Sequence, residues 1–421
     1  MRPLPWLYLS GDTLCAEGLP LTEIADRFGT PCYVYSAARI LANVRRFREP
    51  FTGVPLKIHY AVKANPLGAI LRLLVKEGLG AEVVSGGELY RALRAGFPPN
   101  EILFTGVGKT REELLRALEK GNKAIVVESL AELGLLRDIS REKEKMVPVA
   151  LRINPALAPP THPHLATGKK GSKFGFDRKG VEEALVNIAR DRGLRLVGLH
   201  LHLGSQINRL EPYLAAWEYL LELRREAERM GLVVRFLDLG GGFGISYDEG
   251  ERAFPVKKLA VVIRNKMPEG TELVLEPGRA LVGDAGILLT KVLYTKYVHG
   301  RAYIVVDAGM NDLLRPALYG AHHRLVPVRR RTGAPVKVDV VGPICENADV
   351  LAADRELPPL QPGDLLAILD TGAYGSSMSS QYNSRPRGAE VLVYRGKAYL
   401  VRKRETLEDL VRGEIIPEDL R

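Results

Sequence analysis

Residues 56–93, LKIHYAVKANPLGAILRLLVKEGLGAEVVSGGELYRAL, change their hydrophobic period three times. Leu56–Val62 is a short, largely apolar run. Leu67–Glu77 repeats apolar residues at three- and four-residue spacing, Ala81–Val84 is a second short apolar run, and Gly87–Ala95 returns to the helical spacing. Strand, helix, strand, helix in this order is a parallel βαβα unit. The pattern continues outward from it. Further strands are predicted at Ile102–Thr105, Ala124–Val127, Val147–Ile153, Leu196–Leu201, Arg235–Leu239 and Glu272–Leu275. Helices are predicted at Arg111–Glu119, Leu130–Asp138, Gly180–Asp191 and Tyr213–Met230. Eight βα repeats predict an α/β fold with an eight-stranded β/α (TIM-type) barrel rather than an open sheet.

After residue 280 the helical period fades. Ile287–Tyr294, Ala302–Asp307, Val336–Gly342, Asp364–Leu369, Glu390–Tyr394 and Lys397–Val401 read as strands between Gly and Pro turns. The expected organisation is an N-terminal segment 1–32 packing with the β domain, a barrel over 33–280, and a C-terminal all-β domain over 281–421.

Composition narrows the function. The chain has 421 residues, 46% hydrophobic and 26% charged, enough for a large core and a smaller one. No apolar run reaches the roughly 20 residues of a membrane span, and Met1–Pro20 carries Asp12 and Glu17 in place of a signal-peptide apolar stretch. A cytoplasmic protein is expected. Cys15, Cys32 and Cys345 are too scattered for a disulfide framework or a zinc ribbon. The net charge of +10 comes from basic residues interleaved with acids, and Arg329–Arg331 lacks the aromatics of a nucleic-acid groove, so no nucleic-acid partner is expected.

A barrel places its chemistry at the carboxyl ends of its strands. Those ends carry Lys63, Glu82, Thr105, Glu128, Arg152, His200 with His202, Gly240–Gly244, and Glu276-Pro-Gly-Arg279. Each has a plain alternative. Lys63 either snorkels to water or is a desolvated amine suited to Schiff-base chemistry. The LDLGGGFG loop is a tight turn or a phosphate cradle, and it matches neither G-x-G-x-x-G nor a P-loop. His200 and His202 share a strand face, as a metal pair or as a flat ring for stacking; His162, His164, His322 and His323 lie far off without a carboxylate motif, and no metal is expected. Glu276 pairs with Arg279 or faces a pyridine nitrogen. A Schiff-base lysine, a phosphate loop, a stacking imidazole and a ring-nitrogen carboxylate together call for pyridoxal phosphate.

Here the chain resembles the diaminopimelate decarboxylases, pyridoxal-phosphate enzymes that share a barrel with alanine racemase. The resemblance runs nearly end to end, through YAVKANP, VVSGGELYRAL, HPHLATGKKGSKFG, GLHLHLGSQI, LDLGGGFG, LEPGR, LRPALYGAHH, GPICENADVLA and GAYGSSMSSQYNSRPR. It implies that Lys63 holds pyridoxal 5'-phosphate and that His202 stacks on its ring with Ser205 close by. Gly241, Gly242, Glu276, Arg279 and Tyr374 would complete the cofactor site. The implied substrate contacts are Arg279, Arg315, Tyr319, Glu346 and Tyr374, with Cys345 as proton donor. It further implies a homodimer in which Cys345 and Glu346 serve the neighbouring subunit's Lys63, and conversion of meso-2,6-diaminopimelate to L-lysine and carbon dioxide.

Two physical arguments support this choice over relatives of the class. A carboxylate at 276 keeps the ring protonated and favours decarboxylation, where the barrel racemases carry arginine. Arg315 and Arg279 suit a distal carboxylate and Glu346 a distal ammonium, whereas a decarboxylase for ornithine or another polyamine precursor wants acids and no arginine there. A cofactor-carrying barrel without catalysis is disfavoured by the β domain with its Cys345-Glu346. Three positions depart from the family pattern: Glu82 for aspartate, Asn347 for serine, and Ser376 for a bulkier residue.

Overall fold

The computed structural model describes residues 6–156, 171–248 and 250–420, so His162 and His164 lie outside the described residues. The chain divides into two compact units, one of Ala42–Ser246 with Arg252–Leu281, the other of Met1–Leu41 and Tyr247–Glu251 with Val282–Arg421.

In the first unit the strands Leu56–Ala61, Gly80–Val83, Ile102–Phe104, Ala124–Val127, Val147–Ile153, Leu194–Leu201, Phe236–Asp238 and Glu272–Leu275 form a closed barrel in chain order. Every neighbouring pair is parallel. The connecting helices start where the sequence supplies caps. Ser85 accepts from the Glu88 N–H, Thr110 and Glu113 form a reciprocal capping box, and Ser129 accepts from the Glu132 N–H. Val256–Lys266 is a helix the spacing did not reveal; Pro255 at its start gives no side-chain cap. Leu103, Ala124, Val126, Ala150, Val197, Phe236 and Val274 pack together as a buried cluster. Gly198 makes room for it, because a Cβ there would lie 2.2 Å from the Phe236 ring.

His59, on the first strand, is fully buried, and its Nε2 lies 3.6 Å from Glu101. Burial pushes its pKa below the usual value, with Glu101 opposing. Folded His59 is therefore neutral, while the unfolded chain takes up a proton near pH 6.5. Its stabilising contribution is present above that pH and is lost as pH falls, at no more than about 1.4 kcal/mol per pH unit. We expect the melting temperature without added cofactor to drop between pH 7 and 5, and to drop less in His59→Gln. Equal slopes would remove His59 from the cause.

The second unit is mostly sheet. Its large sheet runs Val350–Leu357, Val336–Val341, Arg301–Val306, Gly286–Val298, Cys32–Ser36, Ala389–Tyr394, Lys397–Arg402, with Leu365–Ile368 joining Gly286–Val298 to Leu325–Pro327. Leu7–Ser10 pairs with Thr13–Ala16 in a separate small sheet. The strand that the amino-terminal region adds to the large sheet is Cys32–Ser36, buried along its whole length. Trp6, Leu14, Leu21 and Ile24 share one core with Val34, Ile287 and Val391.

Candidate active site

The first barrel strand stops at Ala61, one residue short of the predicted Val62, and Val62–Ala64 form a 3-10 turn that carries Lys63. Pro66 drives this break by holding Asn65 extended (φ −160°). The Asn65 side chain accepts from the Leu67 N–H at 3.1 Å and its carbonyl accepts from the Tyr60 hydroxyl at 3.0 Å. Lys63 Nζ then sits 3.3 and 3.2 Å from the two carboxylate oxygens of Glu82. Glu82 is buried and also accepts from the Thr105 hydroxyl. The departure at Glu82 thus keeps an acid against the lysine, its longer arm steadied by Thr105.

Three loops meet around the glycine run. The Gly240 N–H donates to Asp238 at 2.7 Å, and the Tyr213 hydroxyl donates to the Gly241 carbonyl at 2.8 Å. A Cβ on Gly241 would lie 2.3 Å from the Glu276 carbonyl, and one on Gly242 (φ +89°) 2.1 Å from that of Gly204. Only glycine lets the ends of the sixth, seventh and eighth strands approach this closely. The Gly241 N–H donates to His202 Nδ1 at 3.2 Å, so the His202 proton resides on Nε2. Burial, then the charges of Lys63 and Arg152, push His202 well below the usual imidazole pKa, leaving a flat neutral ring.

Glu276 accepts from His200 Nε2 at 3.3 Å, both side chains being buried. Burial alone would raise Glu276, but His200, Lys63 and His202 hold it below the ordinary carboxylate range. Burial and then the Glu276 charge push Asp238 well up, so Asp238 keeps its proton. Ligand atoms of His200, Asp238 and Glu276 lie within 4.8 Å of one another, a spacing open to a metal ion; His202 is outside that set. Arg279, also buried, donates to the Ser205 hydroxyl at 2.9 Å.

These residues fit pyridoxal phosphate. Glu276, buried and held ionised between His200 and protonated Asp238, is the acid that a protonated ring nitrogen requires. Lys63 offers the amine, His202 a flat face, and the glycines a close backbone approach.

The other expected residues lie on the mostly-sheet unit. Arg315 is buried and opens the short helix Arg315–Tyr319, with Tyr319 half-buried. Cys345 and Glu346 are exposed. The Cys345 N–H donates to Asn383 at 2.8 Å, and the Tyr382 hydroxyl donates to Glu346 at 2.8 Å. Buried Asp349 fixes the same turn by accepting from the N–H groups of Ile344 (2.7 Å) and Met310 (2.6 Å). Asn347 is exposed beside them, while Tyr374 takes φ +57°, a left-handed conformation unusual for a tyrosine. Ser376 opens a 3-10 turn. A cavity of about 700 Å³ lies elsewhere, at the amino-terminal face of the barrel beside Lys123, Arg195, Arg235 and Glu272. Chemistry in this fold belongs at the opposite face. Roles for Asp238, Tyr213 and Tyr382 were not visible beforehand; Asp238 alone had a signal, its place before the glycine run.

Residues 37–283 match the family described as pyridoxal-dependent decarboxylase, pyridoxal binding domain, which sets the class of the protein. Over nearly the whole chain it is 42% identical to a diaminopimelate decarboxylase of Aquifex aeolicus (98% of each chain) and 44% identical to one of Pseudomonas aeruginosa (96% of this chain, 98% of the other). The structure of a diaminopimelate decarboxylase from M. jannaschii in co-complex with L-lysine superimposes with a TM-score of 0.94 at 38% identity, covering 99% of each chain. The chain belongs to the diaminopimelate decarboxylase family.

Proposed function

We propose that this protein decarboxylates meso-2,6-diaminopimelate to L-lysine and carbon dioxide with pyridoxal phosphate, the last step of lysine biosynthesis. The observation that carries the reading is Glu276, buried at the end of the eighth barrel strand and held ionised by His200. When bound, the cofactor supplies an aldehyde for amines and a ring that takes up the electrons released as carbon dioxide leaves.

The chain's own residues do the rest. Lys63 would hold the cofactor through its amine, and Glu82, 3.2 and 3.3 Å away, would hold that amine as an ammonium once freed. Glu276 keeps the ring nitrogen protonated, the electrostatic contribution that separates decarboxylation from a site built on arginine. Neutral His202, its plane set by the Gly241 N–H, would offer a flat face to the ring without competing for charge. Ser205, Gly241, Gly242 and Tyr374 bind cofactor with Arg279. Arg279 and Arg315 receive substrate carboxylate, Glu346 the distal ammonium, and Tyr319 and Tyr374 line the substrate. The Cys345 thiol delivers the proton to the carbon that carbon dioxide has left.

Exposed Cys345 and Glu346 fit a homodimer in which they serve the Lys63 site of a second copy. Among the described residues no helix is long and apolar enough to cross a membrane, and we assign the enzyme to the cytoplasm.

Purified protein with pyridoxal phosphate and, separately, meso-diaminopimelate, ornithine and arginine tests this. Carbon dioxide and lysine are expected from the first alone. A diamine from ornithine, or agmatine from arginine, would reassign the substrate to the polyamine-forming relatives.

A further inference from the structure

Arg315 is the residue on which selectivity for a distal carboxylate turns, and it is buried, so something must hold it. Its Nη1 lies 2.8 Å from Nε2 of His323, eight residues on and fully buried. Arginine only donates, so His323 Nε2 must be bare and its proton must sit on Nδ1. That nitrogen lies 2.8 Å from the Leu369 carbonyl, an acceptor, so both contacts require the same tautomer. The guanidinium carbon lies 4.8 Å from the centre of the Tyr247 ring, and that ring stands edge-on to His323 at 5.5 Å. One end and one face of the guanidinium are thus set by neighbours.

The frame behind His323 is itself tied down. The Leu369 N–H donates to the Arg324 carbonyl at 2.8 Å, and the Arg324 guanidinium pairs with buried Asp370, also at 2.8 Å. Leu325–Pro327 pairs with Leu365–Ile368 alongside. His323 stands two residues before Leu325–Pro327 and its carbonyl partner Leu369 directly follows Leu365–Ile368, so both are anchored to the same strand pair. A long cation fixed before its ligand arrives loses less rotamer freedom on binding.

We propose that His323 is the positioning residue that presents Arg315 to the distal carboxylate of the substrate, and so sets selectivity for substrates carrying one. The proposal rests on the function proposed above. His323 touches no reacting atom; it acts through Arg315.

The test is steady-state kinetics of the pyridoxal-phosphate holoenzyme on meso-diaminopimelate for wild type, His323→Leu and His323→Gln, with melting curves and cofactor absorbance for each. Gln retains an acceptor near the Nε2 position and Leu does not. We expect His323→Leu to raise KM about tenfold while kcat and the cofactor spectrum stay within about threefold of wild type, a loss of about one hydrogen bond to a charged group. His323→Gln should recover most of the KM. If His323→Leu fails to fold, the KM of His323→Gln decides, since a value near wild type with an intact melt supports the assignment and a value raised as far as that of Arg315→Ala overturns it. An unmoved KM in folded His323→Leu also overturns it. Wild type inactive on diaminopimelate would instead overturn the functional reading, which separates the two failures.

Discussion

Lys63→Ala should abolish turnover and the visible absorbance of the lysine-bound cofactor together, while leaving the barrel folded. Lys63 sits in a turn after its strand, with its side chain 37% exposed, so its removal opens no core cavity. The stability cost comes instead from Glu82, 2% exposed, which loses its ammonium partner and, among the described residues, keeps only the Thr105 hydroxyl. The chemical cost is large. In the proposed function the amine would hold the cofactor and exchange with substrate, a covalent role whose loss we expect to lower kcat by about 10³-fold or more. Glu82, left buried without the ammonium, makes Lys63→Ala more disruptive locally than Lys63→Arg, which restores charge but not reactivity. Full activity in Lys63→Ala would remove this lysine from the mechanism.

Arg315→Ala should separate binding of substrate from binding of cofactor. Arginine with a carboxylate forms charge-assisted, frequently bidentate bonds, each contributing about 1.5–3 kcal/mol. Removing it should therefore cost roughly 10²–10³ in kcat/KM for diaminopimelate, mostly as KM. Cofactor affinity, to which Arg315 is assigned no contact, should change little. The variant also strands His323 Nε2 without its donor, so a lower melting temperature is expected beside the kinetic defect. An unchanged substrate profile would overturn the distal-carboxylate account.

The barrel was legible because its strands are short apolar runs and its helices carry apolar residues at helical spacing, signals that depend only on near neighbours. Val147–Ile153, Ala124–Val127 and Glu272–Leu275 fall on the predicted residues. Signals of longer range were not legible. Cys32–Ser36 becomes a central strand only through partners some 250 to 350 residues later in the chain, roughly the separation of Val34 from Ile287 and from Val391. Val350–Leu357 was hidden by Asp354-Arg-Glu356, where positive φ at Asp354 interrupts strand alternation.

The site divides in the same way. Residue types at strand ends pointed to Lys63, His202, Glu276 and the glycines, but the bonds that tune them did not show. Spacing put His200 and His202 on one strand face and the resemblance chose His202 for stacking; the structure gives His202 to Gly241 and His200 to Glu276. His323 was weighed as a distant metal candidate, whereas its ring is committed to Arg315 and Leu369. Those choices depend on three-dimensional partners contributed by other strands.

Every role proposed for this site depends on pyridoxal phosphate being held on Lys63. Borohydride reduction of the cofactor-loaded protein, followed by proteolysis and mass analysis, tests it directly. A pyridoxyl group confined to the peptide containing Lys63 is the expected result; a label on another lysine, or none, would contradict the account.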